Sequence, residues 1–377
     1  MGAKMDSTTR RDFIKKLGLG AAAFSFRGKS LHSTTIEEPA AGGKPLGYAV
    51  VGIGKLAMGQ VLPALAKTRR SRLTALVSGH PDKARHFAEL YRVPPKNIYN
   101  YESYDQMAAN PEIEVVYIAL PNSMHAEYTL RAAKAGKHVL CEKPMATSVK
   151  DAEEMIAACR AARRRLMIAY RLHYETYNLA AMKMCREKQL GQLKVIDAQF
   201  GFEIGDPTQW RLKRALAGGG SMMDIGIYCL QAARFLTGEE PVSVYAESWS
   251  SDPVKFKEVE ETISFMLRFP SGVIANCVSS YGASYVDRYR VVGTEGWLEM
   301  EPAYVYSSLA QRIYKDGKFT LMTPSTWDQF ATEIDAFSES IAQDRDCATP
   351  GEEGLRDLKI MMACYESAQT GKTVNLS

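Results

Sequence analysis

Three side chains have the types and the spacing to move a proton at a carbon that bears oxygen. Lys143 stands in Glu142-Lys143-Pro144, directly after the strand pattern of residues 138–141. Asp224 and Tyr228 stand in GGGSMMDIGIYCL, four residues apart and just after Gly218, Gly219 and Gly220. On a helix that spacing puts Asp224 and Tyr228 on one face, and the glycines let backbone approach a ligand closely. Oxidising a C–OH group removes its proton while a hydride leaves the carbon. A placed acid–base side chain speeds such a step by about 10²–10⁴-fold. Lys143 and Tyr228 are the candidates. Each residue has a plainer alternative: Lys143 as surface charge, Tyr228 as a half-buried helix aromatic, Asp224 as the cap of the helix that follows the glycines.

For these groups to meet, strands must deliver them to one edge of a sheet. The stretch LGYAVVGIGKLAMGQVLPALAKT reads as a strand (residues 48–51), a G-x-G-x-x-A turn (Gly52, Gly54, Ala57) and a helix. The first glycine serves the tight turn, the second a close approach to pyrophosphate, and the small third residue helix–strand packing. The helix start, with Lys55 and Leu56, then faces the phosphates with its N–H groups. A second strand (72–78) ends where an adenosine ribose lies. It carries Ser78, with Lys83 shortly after, in place of the carboxylate that bonds a 2′-hydroxyl. Arg69 and Arg70 precede that strand. A missing carboxylate and added cations favour a 2′-phosphate, so the expected cofactor is NADP; the alternative is that Lys83 only decorates the helix starting near Pro81. Further units follow: strand 115–120, helix 126–135 and strand 138–141. In a doubly wound sheet ligands lie outside the carboxyl ends of the strands. That nominates Leu120, Asn122 and His125 after one strand, and Glu142 and Lys143 after the other. A strand over 165–174, ending in Arg171 and His173, is expected to close the first domain.

Composition narrows the partners. A chain of 377 residues suggests two or three domains. A net charge of +4 with scattered Lys and Arg argues against a nucleic-acid surface. Seven cysteines without a C-x-x-C pair, and six histidines without ligand spacing, argue against a disulfide framework and against a metal site. The N-terminus, STTRRDFIKKLGLGAAAFSF, resembles a twin-arginine export signal. Its apolar run is too short to span a bilayer. The expected layout is a signal segment over 1–32, an extended arm over 33–46, a nucleotide-binding domain over 47–172 and a substrate and oligomerisation domain over 173–377. The expected location is the periplasm, reached through the twin-arginine machinery.

The glycine turn, PNSMHAE, AGKHVLCEKPMATS, YRLHY, AGGGSMMDIGIYCL and TPGEEG together resemble the glucose–fructose oxidoreductase / inositol dehydrogenase / rhizopine-catabolism (Gfo/Idh/MocA) family, and within it most the glucose–fructose oxidoreductase branch. The resemblance spans about residues 47–375. It implies an α/β fold: an N-terminal Rossmann domain, then an α/β domain with a large open, mostly antiparallel sheet that pairs subunits into a dimer or tetramer. Runs such as ETISFMLRF and GVIANCVSSYG fit such strands independently. It implies that Tyr228 donates and accepts the proton. A free tyrosine keeps its proton to about pH 10, so it needs a nearby cation, and Lys143 supplies one. Asp224 either holds a sugar hydroxyl or orients Lys143. Trp210 and Arg211, in DPTQWRLK, match a pair that contacts the nicotinamide end; Arg171 reaches the same region, and Tyr306 matches a substrate-pocket tyrosine loosely. The implied activity is an exported, NADP-dependent sugar oxidoreductase that oxidises an aldose to its lactone, reduces a second sugar to a polyol and recycles a bound cofactor. The alternatives are a sugar or cyclitol dehydrogenase that releases its cofactor, an NAD-assisted glycosidase, whose histidine-rich site loop is here DIGIY, and a cofactor-binding regulator without activity.

Overall fold

The computed structural model describes residues 43–376. The expected signal segment (1–32) and residues 33–42 of the expected arm fall outside them. The first strand, β1 (Leu46–Val51), is apolar and buried from Gly47 on, as a central parallel strand must be. Gly52 ends it, and the helix beyond opens with a π-helical turn (Ala57–Val61) that runs into α1 (Leu62–Leu65). There follow β2 (Ser71–Val77), α2 (Pro81–Leu90), β3 (Ile98–Tyr99), β4 (Val115–Ile118), α3 (His125–Lys134), β5 (His138–Glu142), α4 (Val149–Ala161) and β6 (Leu166–Ala169). The six strands form one parallel sheet in the order β3-β2-β1-β4-β5-β6. The order reverses between β1 and β4, which opens a ligand crevice at their carboxyl ends.

The expected strand over 165–174 stops at Ala169. The chain turns at Tyr170 into a short 3₁₀ turn, Arg171–Tyr174. The turn takes Arg171 out of the sheet and under the site described below.

After α5 (Thr176–Arg186) come β7 (Leu193–Gly201), α6 (Arg214–Ala217), a π-helical turn (Met222–Gly226), α7 (Ile227–Thr237) and β8 (Ser243–Trp249). Then follow β9 (Thr262–Arg268), β10 (Ile274–Ser280), β11 (Val286–Gly293), β12 (Gly296–Met300), β13 (Gln311–Lys315) and β14 (Lys318–Met322). The last elements are α8 (Gln329–Ala342), α9 (Gly351–Thr370) and β15 (Val374–Asn375). The run YRVVGTEGWLEME holds two strands, β11 and β12, and RIYKDGKFTLM holds β13 and β14, turning at Asp316-Gly317, both with positive φ. The nine-stranded sheet has the order β14-β13-β12-β11-β7-β10-β9-β8-β15; only the β7–β10 pair is parallel. Along β9, Ile263, Phe265 and Leu267 are buried while Ser264, Met266 and Arg268 face outward, the alternation of a sheet covered on one side. Helices α5, α7 and α9 cover the inner side.

Packing crosses the expected division at 172/173. Helix α8 returns from the far end of the sequence and packs Phe330, Ala331, Ile334 and Phe337 among Tyr48, Leu76, Tyr117 and Ala169. The end of β6 also bonds to Thr349, just before α9. The nucleotide-binding layer is therefore finished by a C-terminal helix, and residues 43–376 form one compact unit.

Candidate active site

Lys143 leaves the end of β5 on a turn whose Lys143–Pro144 peptide is cis. Its Nζ donates to the Asp224 carbonyl at 2.7 Å and to Asp224 Oδ1 at 3.2 Å. The other carboxylate oxygen of Asp224 accepts from Arg211 Nε at 2.8 Å and from the Tyr281 hydroxyl at 2.9 Å. Burial opposes the charge on Asp224, but Arg211 and Lys143 outweigh it and hold the carboxyl far below the usual range. Burial likewise works against the Lys143 ammonium; Tyr228, Asp224 and Glu142 outweigh it and keep the ammonium above the usual lysine range.

The turn that carries Asp224 is built from glycine and one buried acid. A Cβ on Gly220 would lie 1.9 Å from the Glu260 carbonyl oxygen, so only glycine fits. The Glu260 carboxylate accepts from the backbone N–H groups of Gly220 and Met222 and from the Tyr365 hydroxyl, each at 2.9 Å. Asp224 lies in the π-helical turn and Tyr228 in the first turn of α7, and both converge on Lys143. Its Nζ stands 4.7 Å from the Tyr228 ring centroid.

A second cation serves Tyr228. Arg171 was expected at the cofactor; instead its Nη2 donates to the Tyr228 hydroxyl at 3.2 Å and to the Tyr304 carbonyl, and its Nη1 to Gln329 Oε1 at 2.5 Å and the Val305 carbonyl at 3.3 Å. Tyr306, 47% exposed, lies over the same guanidinium at 4.8 Å. Arg211 stacks on Trp210 at 4.6 Å, which puts Trp210 one residue from the Asp224 network. Glu142 is buried and accepts from the Tyr117 hydroxyl at 2.9 Å; burial pushes its carboxyl up.

The crevice at β1 and β4 has the form of a phosphate cradle. Gly52 has φ +91, and a Cβ there would lie 2.4 Å from the Ala119 carbonyl oxygen, whereas a Cβ on Gly54 would meet nothing within 4 Å. Open space over Gly54, at the start of the helix with Lys55 and Leu56, fits a pyrophosphate. Lys83 lies across this turn, its Nζ 3.4 Å from the Ile53 carbonyl, and Ser78 Oγ accepts from the His80 N–H at 3.1 Å. Asp206, in the loop after β7, accepts from the Thr208 N–H and hydroxyl, which hold its carboxyl below the usual range.

The structure gives three sets of expected residues partners within the protein. His125 is fully buried, with Nδ1 2.8 Å from the Pro144 carbonyl and Nε2 2.9 Å from the Leu120 carbonyl. It clamps the loop after β4, with Leu120, to the loop after β5, and its ring has no polar atom left for a cofactor. Asn122 gives its amide to the Ala217 carbonyl at 2.9 Å and ties the same loop to α6. Arg69 and Arg70 sit at the start of β2, where their backbone N–H groups bond the Asp335 carboxylate. Seven residues of strand, about 20 Å, separate them from Ser78, so the 2′-phosphate argument rests on Ser78 and Lys83 alone. Sequence reasoning missed Tyr281, Glu260, Gln329 and Glu333, whose contacts lie across the fold and leave no local pattern.

A parallel sheet of order 3-2-1-4-5-6, an open glycine turn at its switch point and a lysine–aspartate–tyrosine cluster beside it define a Rossmann-type oxidoreductase. Comparison with known proteins gives the particular family. The profile described as "Oxidoreductase family, NAD-binding Rossmann fold" matches residues 46–170, and the "GFO/IDH/MocA C-terminal domain" matches residues 178–299. The chain belongs to the Gfo/Idh/MocA family. The aldose–aldose oxidoreductase of Caulobacter crescentus, solved with glycerol, is 47% identical with a TM-score of 0.86, over 88% of this chain and 100% of that one. The D-xylose 1-dehydrogenase [NADP(+)] of Haloarcula marismortui is 33% identical over 346 residues, 90% of this chain and 96% of that protein. A 3-ketoreductase of Actinomadura kijaniata, solved with NADP, is 25% identical with a TM-score of 0.76, over 86% of this chain and 98% of that one.

Proposed function

We propose that this protein is an NADP-dependent sugar oxidoreductase that oxidises an aldose to its lactone and reduces a second sugar to a polyol on one retained cofactor. The observation that carries the reading is the convergence of Lys143, Asp224 and Tyr228 beside an open phosphate turn. The likeness to an aldose–aldose oxidoreductase supports the two-sugar cycle. The likeness to a xylose dehydrogenase named for NADP, with Ser78 and Lys83 where a carboxylate would select NAD, supports the cofactor.

Gly52, Gly54, Lys55 and Leu56 hold the pyrophosphate, Ser78 and Lys83 the 2′-phosphate end, and Glu142, Trp210 and Arg211 border the nicotinamide end. The nicotinamide supplies the two-electron chemistry when bound. Two Lys143 bonds go to Asp224, which leaves the third N–H of the ammonium for the reacting sugar oxygen. Arg171 donates to the Tyr228 oxygen, so the phenol's own O–H is free to exchange with the sugar hydroxyl. In the oxidative half Tyr228 takes the hydroxyl proton; in the reductive half it returns one to the new alcohol.

A retained cofactor suits a compartment without free NADPH, and the twin-arginine segment supplies such an address, the periplasm. The outward face of the nine-stranded sheet, with Met266, Ile274 and Trp249 exposed, is the surface on which a dimer or tetramer would form. A second reading, the same chemistry with cofactor released at each turnover, is favoured by the likeness to the xylose dehydrogenase. One experiment separates them. The protein is purified without added nucleotide, its spectrum recorded, and glucose added. The reduced-nicotinamide band should rise and then fall on adding fructose or a second aldose. Tyr228→Phe should retain the cofactor and slow the rise at least about tenfold. Protein that purifies empty overturns retention; no band with any aldose, even with added NADP, overturns the sugar reading.

A further inference from the structure

Behind Arg171 lies a buried acid that the proposed reaction does not use. Glu333, on α8, is 0% exposed, and neither carboxyl oxygen has a hydrogen-bond donor among the described residues. It lies one helical turn after Gln329, whose Oε1 accepts from Arg171. The titratable groups within electrostatic reach of it are Tyr48 from β1, Tyr117 from β4, Glu142 from β5, and Arg171 and Tyr174 from the turn after β6. None of them donates a hydrogen bond to Glu333. Tyr48 bonds the Ile334 carbonyl and Ser338, Tyr117 bonds Glu142, and Tyr174 bonds Thr349. The two terminal nitrogens of Arg171 donate to Tyr228, Gln329 and two carbonyls. An ionised carboxylate in such a place, shut off from bulk solvent and without a protein donor, is costly unless it takes up a proton.

We propose that Glu333 is held as the neutral carboxylic acid, and that this neutrality leaves the charge of Arg171 to Tyr228; ionising Glu333 at alkaline pH slows the proton exchange. It is a positioning residue acting through Arg171, and its kinetic consequence rests on the proposed role of Tyr228. The charge balance gives the reason. Lys143, Arg171 and Arg211 stand against the carboxylates of Asp224 and Glu142, so one positive charge remains near the phenol. A second buried carboxylate beside Arg171 would cancel it. Burial, with Glu142 adding to it, pushes the Glu333 carboxyl well above its ordinary range, and Arg171 opposes without prevailing.

The test combines an infrared spectrum with a pH profile. At neutral pH the wild type should show the carbonyl band of a protonated carboxylic acid. The band should vanish in Glu333→Gln and persist in Glu142→Gln. Glu333→Gln cannot ionise, so its turnover relative to wild type should rise by roughly threefold or more between neutral and alkaline pH, with cofactor retention and KM unmoved. Glu333→Met, equally long and uncharged, should behave alike. A band absent from wild type or still present in Glu333→Gln overturns the proposal, as do superimposable pH profiles. Should wild type turn over no sugar at all, the functional reading fails, while the infrared band still decides whether Glu333 is neutral.

Discussion

Asp224 directs its carboxylate inward, to Lys143, Arg211 and Tyr281. Of the two roles open to it, orienting Lys143 is the one this geometry serves. Asp224→Asn should therefore lower turnover at least about tenfold, since an amide cannot hold both cations and one of its two atoms is itself a donor. The same change gives a pH signature. The folded-state pKa of Asp224 is depressed below the value near 3.9 of an unfolded aspartate. Its contribution to stability is thus full above about pH 4 and is lost as pH falls toward the folded value. In urea denaturation, wild type should exceed Asp224→Asn at pH 7, and the gap should narrow below about pH 4; a gap that is constant with pH contradicts the ion-pair account. Lys143, Asp224 and Tyr228 were legible in the sequence because each stands in a short motif at a strand or helix end. Glu260 was not. It meets Gly220 and Met222 only after about forty intervening residues fold back, and no spacing announces that.

Strand direction decides which cations can read the cofactor. β2 runs from Ser71 to Val77, so the pair before it lies at the amino edge of the sheet and Lys83 at the carboxyl edge. Sequence proximity to a strand is symmetric; position in a sheet is not, and that is why Arg69 and Arg70 misled. Arg70→Ala should leave the preference for NADP over NAD unchanged. Lys83→Ala should reduce it about tenfold, the effect of one lost charge-assisted hydrogen bond. Titration of cofactor-stripped protein with both nucleotides, followed by tryptophan fluorescence, measures this. A changed preference in Arg70→Ala would show that the amino edge contributes after all. Alternation located the strands of the second sheet well, because one face is covered. Where a chain leaves a sheet, as at Tyr170, the apolar pattern continues and the turn is silent in the sequence.

At the scale of the molecule, the nucleotide-binding layer is discontinuous in sequence. One face of the parallel sheet is covered by the helix after the glycine turn and by α8, which arrives more than 150 residues after β6. Nothing local in the sequence says which sheet a helix covers. Phe337 is the sharpest probe, being 0% exposed within the cluster that holds Tyr48, Leu76 and Tyr117. Phe337→Ala should cost about 3–5 kcal/mol by leaving a cavity the sheet cannot close, read from the urea midpoint at constant slope. The same packing predicts that residues 43–172, expressed alone, expose the socket for Phe330, Ile334 and Phe337 and do not form a cooperatively melting unit, whereas residues 43–376 do. Circular dichroism melts of the two fragments decide it. A sharp transition in the short fragment would mean that the first domain is self-sufficient and that α8 is merely laid against it. A broad one, rescued by adding the α8 peptide, would place the domain's last structural element near the end of the chain.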